Sequence, residues 1–300
     1  MNQIRLRERP LSDYAFDAAV VILSLLVFLI VAYPIYFVII ASISDSTLVS
    51  TGQVTWLPRN ISFFGYQEIF QDTRIWTGYK NTIIYTTLGT FVNLLFTLPA
   101  AYVLSRPEFR ARRWIMFAFV ITMFFNGGLI PTYLLMKELH LTNTMWVFIV
   151  PFSVNVYNLI ITRSFFEHSL PKELFEAAQM DGCSHFKFFA QIALPLSKAV
   201  VSVVALFYLV AHWNDFFTGL IYIQSNHLQP LQIVLRDILL SNQVFASGAG
   251  AGGSAGGYAQ QYADQVKYAV IIVSTLPILI VYPFIQKYFE KGVMIGSVKG

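Results

Sequence analysis

Apolar residues along this chain fall in long blocks, not at the alternating spacing of a half-buried strand or the three-to-four spacing of a surface helix. Six blocks reach the roughly 20 residues a helix needs to cross a hydrocarbon core: about 17–41, 81–105, 114–136, 143–163, 198–223 and 268–288. The fifth is interrupted by His212 and Asp215. The pattern predicts an all-α integral membrane protein with six transmembrane helices. The first block follows Arg5, Arg7 and Arg9, is too long for a signal-peptide core and has no small-residue cleavage site after it, so it is expected to be an uncleaved span.

The connectors set the orientation. Basic residues gather before the first block, in the 2–3 connector (Arg106, Arg110, Arg112, Arg113), in the 4–5 connector (Arg163, Lys172, Lys187, Lys198) and after the last block (Lys287, Lys291, Lys299). The 3–4 connector has only Lys137, and the long 1–2 and 5–6 connectors are sparsely basic. By the positive-inside rule both termini are expected in the cytoplasm. This divides the chain into a tail at 1–16, a permease domain at 17–290 and a tail at 291–300. Residues 42–80 carry Trp56, Pro58, Phe63, Phe64 and Trp76 and are expected to form short interfacial helices. Ser247–Gly257 is too poor in side chains to pack and is expected to be mobile.

Composition agrees and narrows the function. The chain is 56% hydrophobic and 12% charged, with a mean hydropathy of +0.60; a soluble domain carries about twice that charged fraction. The net charge of +4 is accounted for by the orientation signal and calls for no nucleic acid. The single Cys183 excludes an internal disulfide framework and a multi-cysteine metal site. His140, His168, His185, His212 and His227 are scattered, and no nucleophile elbow, metalloprotease motif or phosphate-binding loop occurs. No catalytic residue, metal site or cofactor is therefore expected on this chain, and any energy must come from a partner.

The 4–5 connector, expected as a loop over 166–197, is patterned. Pro171 suits a first helical position, helix formers run to Asp181, and Gly182 can take the left-handed conformation that ends a helix. Ser184 can cap a second short helix, and Pro195 marks the entry to the fifth block. The result is a helix–turn–helix. Ala177 and Ala178 leave room for a partner backbone between the charges of Glu176 and Asp181. Leu174, Phe175, Met180, Phe186, Phe188 and Phe189 are more apolar than a solvated loop tolerates. An interfacial helix lying on the bilayer is the plainer alternative.

This loop resembles the signature of ABC importer permeases: Glu176-Ala177-Ala178, three residues, Gly182, nine residues, then Ile192, Leu194 and Pro195. The resemblance implies a type I importer permease fold in which the loop is the cytoplasmic coupling helix seated on a nucleotide-binding subunit. It also implies the partners: a dimer of ATP-binding subunits holding ATP and Mg, a second homologous permease (a heterodimer), and an extracytoplasmic solute-binding lipoprotein, all at a bacterial cell membrane. FNGGLIPTYLL at 125–135, the segment 143–166 and HWNDFF at 212–217 resemble the carbohydrate branch that moves oligosaccharides from complex polysaccharides. The end EKGVMIGSVKG resembles tails that reach the ATPase dimer, which assigns that role to Gly296, Lys299 and Gly300.

A sugar path needs hydrogen-bonding groups at membrane depth, where polar side chains are costly and turn inward. At 1.5 Å per residue Asn155 lies ~18 Å into the fourth block, with Asn158 three residues on. Pro151 is expected to kink that helix. Asn93 and Asn126, the latter beside Gly127 and Gly128, lie at similar depth. Each asparagine has two readings, path lining or interhelical glue. Trp213 and Asn214 join the candidate path. Trp213 also fits an interfacial belt, and Asp215, ~25 Å along the fifth block, fits a structural pair or a gate. A secondary transporter or channel is the alternative class; it would call for ionisable residues at mid-membrane, and finding an ATPase gene beside this one would argue against it.

Overall fold

The computed structural model describes residues 11–246 and 266–283, without the side chains of 11–12 and 241–246. Gly296, Lys299, Gly300 and the glycine-rich Ser247–Gly257 lie outside the described residues. In chain order the helices are α1 Leu11–Ser42, α2 Ser46–Ser50, α3 Phe64–Gln71, α4 Thr73–Ser105, α5 Arg112–Phe124, α6 Leu129–Glu138, α7 Trp146–Ile149, α8 Val156–Ser169, α9 Lys172–Met180, α10 His185–Phe188, α11 Leu194–Leu196, α12 Lys198–Trp213, α13 Phe217–Tyr222, α14 Leu231–Ala246 and α15 Val266–Pro283. No strand occurs among the described residues.

Three of these helices, α1, α4 and α15, are each long and apolar enough to cross a membrane, with mean hydropathies of 2.8, 1.5 and 1.8. Two bent pairs raise the number to five: α5 with α6, bent by 115°, and His185–Leu196 with α12, bent by 83°. The middle blocks are thus more broken than their hydropathy predicts, and each break has a local cause. The third block stops at Phe125–Gly128, where Asn126 Oδ1 accepts the Gly128 N–H at 2.9 Å and Gly128 adopts φ +89°. The fourth is split around Pro151 and Phe152, which sits at φ +56°, and resumes where Asn155 Oδ1 accepts the Asn158 N–H at 3.1 Å. The fifth breaks at Asn214–Phe216, where Asp215 Oδ1 accepts the Thr218 N–H at 3.0 Å. In each case an Asn or Asp side chain offers the backbone an alternative to helical pairing.

The chain forms two compact units, Met1–Gln71 with Leu239–Val273, and Asp72–Ile238 with Ser274–Gly300. In the first, Ile40, Ala41, Val49 and Val54 form a small core, with Phe37 edge-on to Tyr268 at 6.1 Å. Asp45 caps α2 by accepting the Thr47 N–H, and the Tyr66 hydroxyl donates to Ser42 at 2.8 Å. In the second unit α4 is the central rod, packed on α8 and α12. Its lower end, around Leu98, Ala101, Tyr102 and Leu104, shares one core with Phe166 of α8 and with the loop between α8 and α12.

Candidate functional site

That loop, 170–197, is built from local signals. Pro171 is the N-cap, one position earlier than its spacing predicts, and α9 begins at Lys172 with Glu173 in its first turn, where a carboxylate suits the helix dipole. Gly182 adopts φ +74°. Its N–H donates to the Gln179 carbonyl, and the Cys183 N–H reaches back to the Ala178 carbonyl, both at 2.9 Å. This paired closure satisfies the last carbonyls of α9. Ser184 Oγ accepts the Lys187 N–H at 3.3 Å and opens α10. Phe189–Ala193 form one widened π turn ahead of Pro195, whose ring cannot join the hydrogen bonds of the preceding turn.

The loop's apolar side chains divide into two groups. Phe188 is fully buried and Phe175 and Phe189 nearly so, with Phe175 edge-on to Phe188 at 5.0 Å and Tyr102 of α4 5.0 Å from Phe189. Ala178, expected on the partner face, belongs to this core instead, because Phe175 and Ala178 lie three apart on one face of α9. Leu174, Ile192 and Leu194 are partly buried against the same core. Each buried Phe contributes about 1.5–3 kcal/mol, so most of the loop's apolar character holds it to its own chain. Met180 and Phe186, 89% and 80% exposed, remain outside, together with Glu176, Ala177, Asp181 and Pro195.

Beneath the loop lies a residue that sequence reasoning treated only as an orientation charge. Pro107 disfavours helical backbone at Arg106, so α4 ends at Ser105 and Arg106 is extended (φ −80°, ψ 127°). Its side chain is only 8% exposed. The guanidinium carbon sits 4.4 Å from the Tyr102 ring centre, and 5.4 Å from those of Phe175 and Phe188. Nε and Nη2 are shielded from solvent and hydrogen-bond to no group among the described residues; the Tyr102 hydroxyl lies near but outside hydrogen-bonding geometry. A cation over a ring contributes about 0.5–2 kcal/mol, and a buried unpaired donor costs about 1–3 kcal/mol, more when charged. The three rings therefore roughly offset two unpaired donors. Beside it, Arg163 of α8 donates from Nε to the Leu104 carbonyl at 3.1 Å and pairs with Glu167 at 2.7 Å.

Farther along α4 the breaks open a cavity of about 280 Å³ with a mixed lining that includes Asn93, Phe152, Asn155, Tyr208, His212 and Asp215. Asn93 Nδ2 donates to the Ser153 carbonyl at 2.8 Å, which turns its Oδ1 to His212 Nε2 at 2.6 Å. An amide oxygen only accepts, so His212 carries a proton on Nε2. The Tyr208 hydroxyl accepts the Asn155 N–H at 3.0 Å and bonds Thr97 at 2.7 Å. The His212 ring fits only because residue 89 is glycine: a Cβ there would lie 2.5 Å from Nε2. A second cavity of about 480 Å³ is lined by Asn126, Thr132, Tyr157 and, again, Phe152 and Asn155.

Of the six path candidates, Asn93, Asn126 and Asn155 thus line these two cavities. Asn158 is buried, with its N–H on the Asn155 side chain. Trp213 is buried elsewhere: its indole donates to the Ser274 carbonyl at 3.0 Å and it lines a separate cavity of about 160 Å³. Asn214 is exposed and bonds back to the Val210 carbonyl at 2.9 Å. His212, Asp215 and Tyr208 take their place at the cavity. The signal for the first two was their interruption of an apolar block; Tyr208 and Gly89 had none. Among the described residues no group of three His, Cys, Asp or Glu side chains could hold a metal.

Residues 75–295 match the family described as binding-protein-dependent transport system inner membrane component. Protein LplC of Bacillus subtilis (strain 168) is 39% identical over 267 residues, covering 89% of each chain. The polygalacturonan/rhamnogalacturonan transport system permease protein YtcP of the same organism is 36% identical over 288 residues, covering 95% of this chain and 98% of its own. Among solved structures, a bacterial ABC transporter involved in the import of the acidic polysaccharide alginate matches with a TM-score of 0.82 at 32% identity, covering 94% of this chain and 99% of that one.

Proposed function

The chain belongs to the family of inner membrane components of binding-protein-dependent transport systems, and from that premise we propose that it is one permease half of an ATP-driven importer of a polysaccharide-derived oligosaccharide. In this reading six spans, three of them broken, cross the cell membrane with both termini in the cytoplasm. A second, similar permease completes the path, an extracytoplasmic lipoprotein delivers the saccharide, and a pair of ATP-binding subunits sits under the loop at 170–197. ATP and Mg belong to those subunits. ATP-driven closure of the pair moves the loops, which rock the spans and open the cavities around Asn93, Asn126 and Asn155 to the outside; hydrolysis resets them. The polygalacturonan/rhamnogalacturonan permease and the alginate importer support a saccharide cargo.

One observation carries the coupling assignment. The loop satisfies its own helix ends and buries most of its apolar side chains, yet leaves Met180 and Phe186 in the open beside Glu176 and Asp181. A loop already folded on its own core needs no further apolar residues, so this exposed lip is a partner surface. The test is Gly182→Asp. A Cβ at Gly182 meets nothing within 4 Å, so within this chain the cost is about 1 kcal/mol of left-handed strain. Full membrane insertion with loss of uptake and of ATPase stimulation is the expected result. Normal transport by the variant would end the assignment.

A further inference from the structure

The buried Arg106 has a role that neither orientation nor stability explains. Its single guanidinium touches three separate elements: Tyr102 on α4, Phe175 on α9 and Phe188 on α10. Packing alone would be served as well by an apolar side chain of similar volume, which would leave no donors stranded. Instead the site holds a charge whose Nε and Nη2 lack acceptors among the described residues. Ring faces attract a cation with little angular demand, so the contact ties three elements together without fixing them by hydrogen bonds. Pro107 holds the backbone from which the side chain springs.

We propose that Arg106 is a positioning residue that locks the α9–α10 loop to the last turn of α4, so that a push received by the loop moves the second span with it. The charge also suits its place, since a cation at the end of α4 favours that helix's dipole. Two neighbours on α8 are held elsewhere: Arg163 bonds the Leu104 carbonyl, and Glu167 bridges Arg163 and Arg112, while Glu108 lies near enough to act on Tyr102. Arg106 forms no ion pair among the described residues and faces the rings of Tyr102, Phe175 and Phe188. The proposal rests on the reading that the loop receives an ATPase.

The experiment places one spin label on α9, at Lys172→Cys, and one on α4, at Val103→Cys, in a Cys183→Ser background, with the transporter assembled in nanodiscs and ATP as the probe. With Arg106 intact, the label-to-label distance is expected to be narrow and unchanged by ATP. Arg106→Ala should widen the distribution about twofold and make it shift with ATP. Arg106→Met, which keeps the volume and loses the charge, should widen it as well, and Arg106→Lys should recover part of the narrowness. A merely space-filling role would leave the methionine variant narrow. A narrow distribution, unmoved by ATP, in the methionine variant would overturn the proposal, whatever the alanine variant shows. Failure of the underlying reading looks different: ATP-binding subunits would not co-purify with the Arg106 form at all, while the nucleotide-free distributions would still judge the lock.

Discussion

The loop at 170–197 and the cavity between α4, α7, α8 and α12 are both made by interrupting helices, but the interruptions are used in opposite ways. In the loop, Gly182 and Ser184 close the helix ends with bonds a few residues apart, and four aromatic rings fill the space beneath. In the cavity, the partners of the broken segments come from far along the chain: Asn93 reaches Ser153 and His212, and Tyr208 reaches Asn155. Local closure gives a part that moves as one piece, which suits a lever. Closure between spans gives a part whose hydrogen bonds must be exchanged when the spans move, which suits a passage.

The contrast can be broken from either side. The largest effect is expected in the loop core, where Phe188→Ala should cost about 3–5 kcal/mol, read as a lowered unfolding midpoint and loss of ATPase retention together. A variant that unfolds normally would show that the loop is not one rigid piece with α4. At the cavity, Asn93→Ala removes the partner of the Ser153 carbonyl and of His212. The expected loss is about 1–3 kcal/mol, with uptake reduced more than ATPase activity. Equal reductions in both would place Asn93 with the structural glue instead of the passage.

Much of this was legible in the sequence, and the remainder has a common cause. The hydropathy of α1 and α4 marks them as spans, and Pro171, Gly182 and Ser184 mark the loop's turns, because these are properties of neighbouring residues. Ala178, expected beside Ala177 on the partner face, lies in the loop's own core, because helical spacing shows which residues lie together without showing which side the chain covers. The break at Asn126–Gly128 was hidden by averaging: the window 114–136 is apolar enough to be taken as one helix, although the very Asn and Gly that end it were visible. His212, Tyr208 and Gly89 depend on contacts across 53 to 123 positions. Arg106 shows only its charge in the sequence, since nothing in one sequence places three rings around it.

The central claim is that the exposed lip of the loop is an ATPase-binding surface, separable from the core that folds it. The direct measurement is the affinity of the purified ATP-binding subunits for the nanodisc-inserted permease pair carrying Met180→Ser and Phe186→Ser, compared with the unsubstituted pair. Truncating two exposed anchors should cost about 1–2 kcal/mol each, weakening binding tenfold or more, with the unfolding midpoint unchanged because neither side chain is in the core. Undiminished affinity in the double variant would contradict the account.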